Sequence, residues 1–298
     1  MSPVVGAVLR PLLAVMSLAL AACASPVAGA PMHSLDSSLK KSGVDPARSA
    51  LMIVRLEDGA VWLSGGARLG ERFVAASTSK IPHTLIAIET GAVSGPDEWF
   101  EWDGQTRFLP AWNQSQTLAD AFRNSTVWIY QTITPRIGSE ALHDWLARFG
   151  YGNADTGTPD DVTRYWLAGP LKISAGEQVT FLARLAQHDL PLSERTYELA
   201  VPVMLAEAGP ETGGEAGPEV GPKAGKGWRL YAKTGWYSSD EAQDIGWYVG
   251  WLEQAGGDAP GTYVFAFNMD VDTPETDIPK RPAAVRRALV DIGALPAP

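Results

Sequence analysis

Ser77 and Lys80 stand three residues apart in the stretch AASTSKIPHTLIAIETG, which runs from Ala75 to Gly91. A serine hydroxyl is a weak nucleophile near neutral pH and needs an adjacent base. Residues three apart on a helix share a face, so the lysine amine can reach the hydroxyl. A helix start also offers backbone N–H groups to a developing oxyanion. Together these features describe acyl transfer. The same residues also read as an ordinary helix start, with Ser77 as cap and Lys80 turned to solvent.

Three further motifs follow in order. Ser125-Thr126-Val127 lies in NSTVWIYQ, Tyr151-Gly152-Asn153 in FGYGN, and Lys233-Thr234-Gly235 in the strand-like YAKTGW. S-x-x-K followed by a middle serine motif and K-T-G is a known plan for serine acyl transfer, and the middle motif here is a variant of it. Each triplet is weak alone; their order and setting make them specific. With YWLAGPLKIS and IGWYVGW added, the chain from Ser49 to Leu289 resembles the class D serine β-lactamases of the oxacillinase type.

The resemblance implies hydrolysis of β-lactam antibiotics through an acyl-enzyme on Ser77. Lys80, carboxylated reversibly by carbon dioxide or bicarbonate, would be the general base in acylation and deacylation. Ser125 would relay a proton to the leaving ring nitrogen. Val127 and Trp166 would enclose the modified lysine, Trp166 through its indole N–H. The backbone N–H groups of Ser77 and Trp236 would form the oxyanion hole. Lys233, Thr234 and Gly235 would line the opposite wall, with Arg281 helping to hold the substrate carboxylate. Tyr151 and Asn153 read as support around a tight turn that Gly152 permits. Carboxylation needs a neutral amine, and burial lowers a lysine pKa.

Two departures stand out. Ser79 occupies a position where the family usually has phenylalanine, and the segment 206–227 is longer than expected before the K-T-G strand. The alternative reading is a penicillin-binding or sensor-like protein that is acylated but turns over poorly. A non-enzymatic adhesion or scaffold protein would form no adduct at Ser77. A metal centre is not expected, because His33, His83, His143 and His188 show no H-x-H or H-E-x-x-H spacing and read as surface or locally satisfied residues.

The elements that must position these groups are legible in the hydrophobic pattern. Ser49 to Ser64 reads as a hairpin turning at Glu57-Asp58-Gly59, and Thr78 to Glu89 as a helix that tolerates Pro82 in its first turn. Helical periods recur over Leu118–Phe122, Val127–Ile137, Glu140–Phe149 and Gln178–Gln187. Strand patterns return at Trp228–Ser238, Ile245–Glu253 and Thr262–Asp270, before a closing helix over Pro282–Leu295. The expected fold is α/β of the α+β type, a mixed, mainly antiparallel sheet built from both chain termini with a helical region inserted. Residues 31–298 would form one domain of two lobes with the site between them. The Gly-, Pro- and Glu-rich segment 206–227 reads as a mobile surface loop.

The 298 residues are 45% hydrophobic and 19% charged, ample for a core, and the net charge of -10 disfavours nucleic-acid binding. Most of the 11 tryptophans are expected in that core. An apolar run after Arg10 reads as an export leader directing the protein to the periplasm. Cleavage either precedes Cys23, which would then carry a lipid anchor, or follows Ala30. Cys23 is the only cysteine, so no internal disulfide can form, and beyond the leader nothing is apolar enough to span a bilayer. Monomer and homodimer both remain open.

Overall fold

The computed structural model describes residues 32–210, 227–256 and 259–297. The leader, Cys23 and residues 211–226 lie outside the described residues. The strands are β1 (Met32–Ser34), β2 (Ser49–Arg55), β3 (Val61–Ser64), β4 (Phe73–Val74), β5 (Trp99–Phe100), β6 (Gln116–Thr117), β7 (Lys172–Ile173), β8 (Leu205–Pro210), β9 (Gly227–Tyr237), β10 (Asp244–Gln254) and β11 (Gly261–Val271). The helices are α1 (Asp36–Lys41), α2 (Lys80–Glu89), α3 (Leu118–Arg123), α4 (Val127–Ile137), α5 (Ser139–Phe149), α6 (Ala175–Ala186), α7 (Glu194–Ala200), α8 (Pro274–Asp277) and α9 (Lys280–Asp291).

Seven strands form the main sheet in the order β1-β3-β2-β11-β10-β9-β8. Only the β1–β3 pair is parallel. The sheet is therefore mixed, mainly antiparallel, and drawn from both ends of the chain, with the helical region inserted between β3 and β8. Two-residue pairings, β4 with β7 and β5 with β6, tie the inserted segments together.

Both faces of the central strands are covered, and the period of two sorts their side chains. Trp247, Val249 and Trp251 of β10 join Val264 and Ala266 of β11 in the core shared with the helical region. Tyr248, Leu252, Phe265 and Phe267 face the other way, against Leu39 of α1 and Ala284, Val285, Ala288 and Leu289 of α9. Burial on both sides explains why these strands read as almost continuous apolar runs.

The expectation for 206–227 needs correction at both ends. Leu205–Pro210 is a strand paired with β9, and Gly227 already opens β9. Composition gave no sign of it, because the pairing comes from the neighbouring strand and not from apolar burial along 205–210. Among the described residues no helix is long and apolar enough to cross a membrane.

Leu289 is fully buried in the core on the α9 face of the sheet. Leu289→Ala should cost about 2–5 kcal/mol. That loss is expected as a lowered urea midpoint with unchanged slope, and activity per folded molecule should be retained.

Candidate active site

The nucleophile candidate lies on a constrained turn. Residues Ala76–Ser79 form one turn of 3-10 helix that runs into α2 at Lys80. Ala76 is held at φ +48°, a conformation that is costly for a residue with a side chain and recurs at functional sites. Thr78 Oγ1 donates to Ala75 O at 2.6 Å and Ser79 Oγ donates to Ala76 O at 2.7 Å, so two hydroxyls secure the turn from beneath. Ser79, the departure noted in the sequence, is buried and serves as such a tie. Ser77 is left half-exposed.

Lys80 is fully buried, and its Nζ donates to Ser77 Oγ at 3.0 Å. This geometry excludes a solvent-facing lysine. Burial, and secondarily the charge of Lys233, pushes the Lys80 amine well below the ordinary lysine range. Its Nζ lies 5.0 Å from the centroid of the Tyr130 ring. The Tyr130 hydroxyl is tied to Thr84 Oγ1 at 2.8 Å, which fixes that ring beside the amine. One helical turn beyond Lys80, His83 packs edge-on against Tyr130 and Trp166, with ring centroids 5.2 and 5.5 Å away. Trp166 is fully buried, and its Nε1 finds no hydrogen-bond partner among the described residues. Val127 opens α4, the helix that carries Tyr130.

The other wall comes from β9. Lys233 Nζ donates to Ser125 Oγ and, at 3.2 Å, to Thr234 O. Ser125 itself sits at φ +55° in the link between α3 and α4. Burial, with a smaller contribution from Arg281, lowers the Lys233 amine to about 7. At Gly235 β9 approaches the nucleophile turn closely, since a Cβ there would come within 3.1 Å of Thr78 Cγ2. Pairing with β8 extends along β9 only as far as Tyr231, so the stretch with Lys233, Thr234 and Trp236 runs beyond it with β10 as its strand partner.

Arg281 is 5% exposed and donates through Nη1 to Gly235 O and through Nε to Ile278 O at 2.9 Å. It thus braces the strand that carries Lys233 to Gly235. Trp236 is more exposed, with its indole donating to Asp244 Oδ2 at 3.1 Å. Tyr151 is buried, and Gln178 Nε2 donates to both Tyr151 OH at 3.2 Å and Thr78 Oγ1 at 2.9 Å. Asn153 Nδ2 donates to Pro170 O at 2.8 Å while its Oδ1 accepts from Lys172 N at 2.9 Å. Gly152, at φ +57°, permits the crossing, because a Cβ there would lie 2.2 Å from Lys172 O.

Three chain segments far apart in sequence thus bring Ser77, Lys80, Ser125 and Lys233 to one cleft. Tyr151 and Asn153 stand behind it. Tyr130, Thr84 and Gln178 join the site without having been expected there, although Val127, Tyr130 and Thr134 follow the i, i+3, i+7 spacing of one helix face. His83 meets the expectation of a surface or locally satisfied histidine only at Nε2, which lies 3.3 Å from Thr134 Oγ1. His33, His143 and His188 are exposed, but His83 is fully buried with Nδ1 unpartnered among the described residues. A histidine on an apolar helix face carries no sequence mark that tells those cases apart. Among the described residues no group of three or more His, Cys, Asp or Glu side chains could hold a metal ion.

Comparison with known proteins identifies the family. Residues 67–289 match the family described as the penicillin binding protein transpeptidase domain. The chain is 38% identical over 242 residues to β-lactamase OXA-2 of Salmonella typhimurium, covering 81% of this chain and 78% of that one. It is 36% identical over 206 residues to β-lactamase OXA-48 of Klebsiella pneumoniae, covering 69% of each. Among solved structures, the class D β-lactamase YbXI from Nostoc superposes with a TM-score of 0.76 at 36% identity, covering 88% of this chain and 99% of that chain.

The depressed amine of Lys233 makes folding stability depend on pH. In the unfolded chain the group stays protonated up to the ordinary value of 10.5, whereas the folded state favours the neutral form above about 7. Its contribution is therefore complete above 10.5 and is lost as pH falls to about 7, with a slope of at most about 1.4 kcal/mol per pH unit. Urea unfolding across that window should show a shallower slope for Lys233→Met than for the parent. Parallel curves would place the Lys233 amine at an ordinary pKa.

Proposed function

The chain belongs to the class D β-lactamases, and from that membership we propose that it opens β-lactam rings through a covalent acyl-enzyme on Ser77, with Lys80 as the general base. One observation carries the reading: a fully buried lysine whose Nζ lies 3.0 Å from a half-exposed serine hydroxyl. A lysine that remained protonated would have no lone pair to accept the serine proton. Desolvation works against that obstacle by favouring the neutral amine.

In this reading Ser77 attacks the lactam carbonyl as Lys80 takes its proton. The backbone N–H groups of Ser77 and Trp236 receive the developing oxyanion, at positions set by the 3-10 turn and by β9. Ser125, bonded to Lys233 Nζ, passes a proton to the ring nitrogen as the C–N bond breaks. Lys233, Thr234 and Gly235 accept the substrate carboxylate, and Arg281 contributes by holding Gly235 and by adding positive charge behind the strand. Water, deprotonated at the Lys80 side, then releases the acyl group from Ser77.

The residues around Lys80 also suit its carboxylation by carbon dioxide. Burial favours the neutral amine that the addition requires, and the buried Trp166 N–H, packed against His83, is an unspent donor. Carboxylated, Lys80 would present an anionic oxygen base in place of an amine. Tyr130 and Val127 would enclose it and Trp166 would donate to it. Export to the periplasm, with cleavage before a lipidated Cys23 or after Ala30, belongs to the same proposal.

Lys80→Ala should lower β-lactam turnover by about 10²–10⁴-fold, and near-parent hydrolysis in that variant would remove Lys80 from the role of base. Trp166→Phe should slow deacylation, and added bicarbonate should restore part of the rate. Indifference to bicarbonate in both the parent and Trp166→Phe would count against carboxylation of Lys80.

A further inference from the structure

His83 is a buried titratable group for which the reaction above has no use. It lies one turn beyond Lys80 on the same face of α2. Its Nε2 is 3.3 Å from Thr134 Oγ1, and that hydroxyl donates its own proton to Tyr130 O at 2.6 Å. The hydroxyl can therefore only accept from the imidazole, which assigns the proton to Nε2 and leaves Nδ1 a bare acceptor. Burial and the neighbouring Lys80 depress the imidazolium to about 3, so the ring stays neutral and adds no charge beside the lysine.

The ring also packs against two aromatic neighbours. It meets Tyr130 edge-on, at 5.2 Å and 72°, and Tyr130 is the ring beside the Lys80 amine. It also meets Trp166 edge-on, at 5.5 Å and 79°, and Trp166 carries the unspent indole donor. A residue that served only to fill this space would be apolar, because an imidazole here buries a nitrogen with no partner among the described residues. We propose that His83 is a positioning residue for the carboxylation of Lys80, its imidazole tied to Thr134 and packed edge-on against both Tyr130 and Trp166 so that the ring beside the amine and the ring carrying the indole N–H are held in one fixed relation. This rests on the carboxylated-lysine reading above.

The test titrates the whole protein with ¹³C-labelled bicarbonate, follows the carbamate signal by NMR, and measures penicillin hydrolysis in parallel. His83→Leu removes the ring, His83→Phe keeps it, and Thr134→Val removes the tie. In His83→Leu the half-saturating bicarbonate concentration should rise about 10- to 100-fold, the range seen when a residue that orients a metal ligand is lost. Its KM for penicillin should stay near the parent value, and saturating bicarbonate should recover kcat. His83→Phe, which keeps a ring but loses the tie, should recover only part of the shift, and Thr134→Val should shift the midpoint in the same direction as His83→Leu by less. An unchanged midpoint in His83→Leu, beside a normal carbamate signal in the parent, would overturn the role of His83 alone. Should His83→Leu fail to fold, an unchanged midpoint in Thr134→Val would overturn it equally. Absence of the signal from the parent would overturn the carboxylation reading and this inference with it.

Discussion

Two lysine amines are removed from water in one cleft, and neither has a carboxylate partner among the described residues. Burying an unpaired ammonium costs several kcal/mol, so the inexpensive response is to release the proton. The Lys80 amine lies well below the ordinary lysine range, because it is fully enclosed and feels the charge of Lys233. Lys233 follows part of the way, to about 7. The cleft is in this sense prepared by the fold, which converts burial into a basic amine beside a serine hydroxyl.

Maintaining that arrangement is the task of the two-part architecture. The helical region supplies the turn bearing Ser77, the buried face of α2 and the aromatic surroundings from α4 and Trp166. The sheet supplies Lys233 on β9, the strand next to its edge. The parts meet at Gly235 and Thr78, where the absence of a side chain lets strand and turn approach. Arg281 from α9 then fastens the strand from behind, while Gln178 from α6 fastens Thr78 and Tyr151 from below. The positive φ angles at Ala76 and Ser125 persist because these surrounding bonds and contacts hold them.

Much of this was legible from pattern alone. Val127–Ile137 has the boundaries its apolar period indicated, because it buries one face whose spacing is written in the chain, and the three long strands match to within a residue or two as apolar, aromatic-rich runs bounded by turns. Ser77 and Lys80 were legible as a pair because they are neighbours in sequence. Other features depend on tertiary neighbours and left no local trace. Leu205–Pro210 becomes a strand only because β9 lies beside it. Ser79 gains its meaning from the carbonyl of a strained Ala76. His83 differs from the exposed histidines only through the rings that α4 and Trp166 bring around it.

The central claim is that Ser77 carries a covalent intermediate which this site then releases. Intact mass of the protein, followed in time after mixing with a penicillin while hydrolysed product is counted, addresses it directly. The account predicts a transient adduct that maps to Ser77, with many penicillin molecules consumed per protein. A single lasting adduct with no further consumption, or hydrolysis that persists in Ser77→Ala, would contradict it.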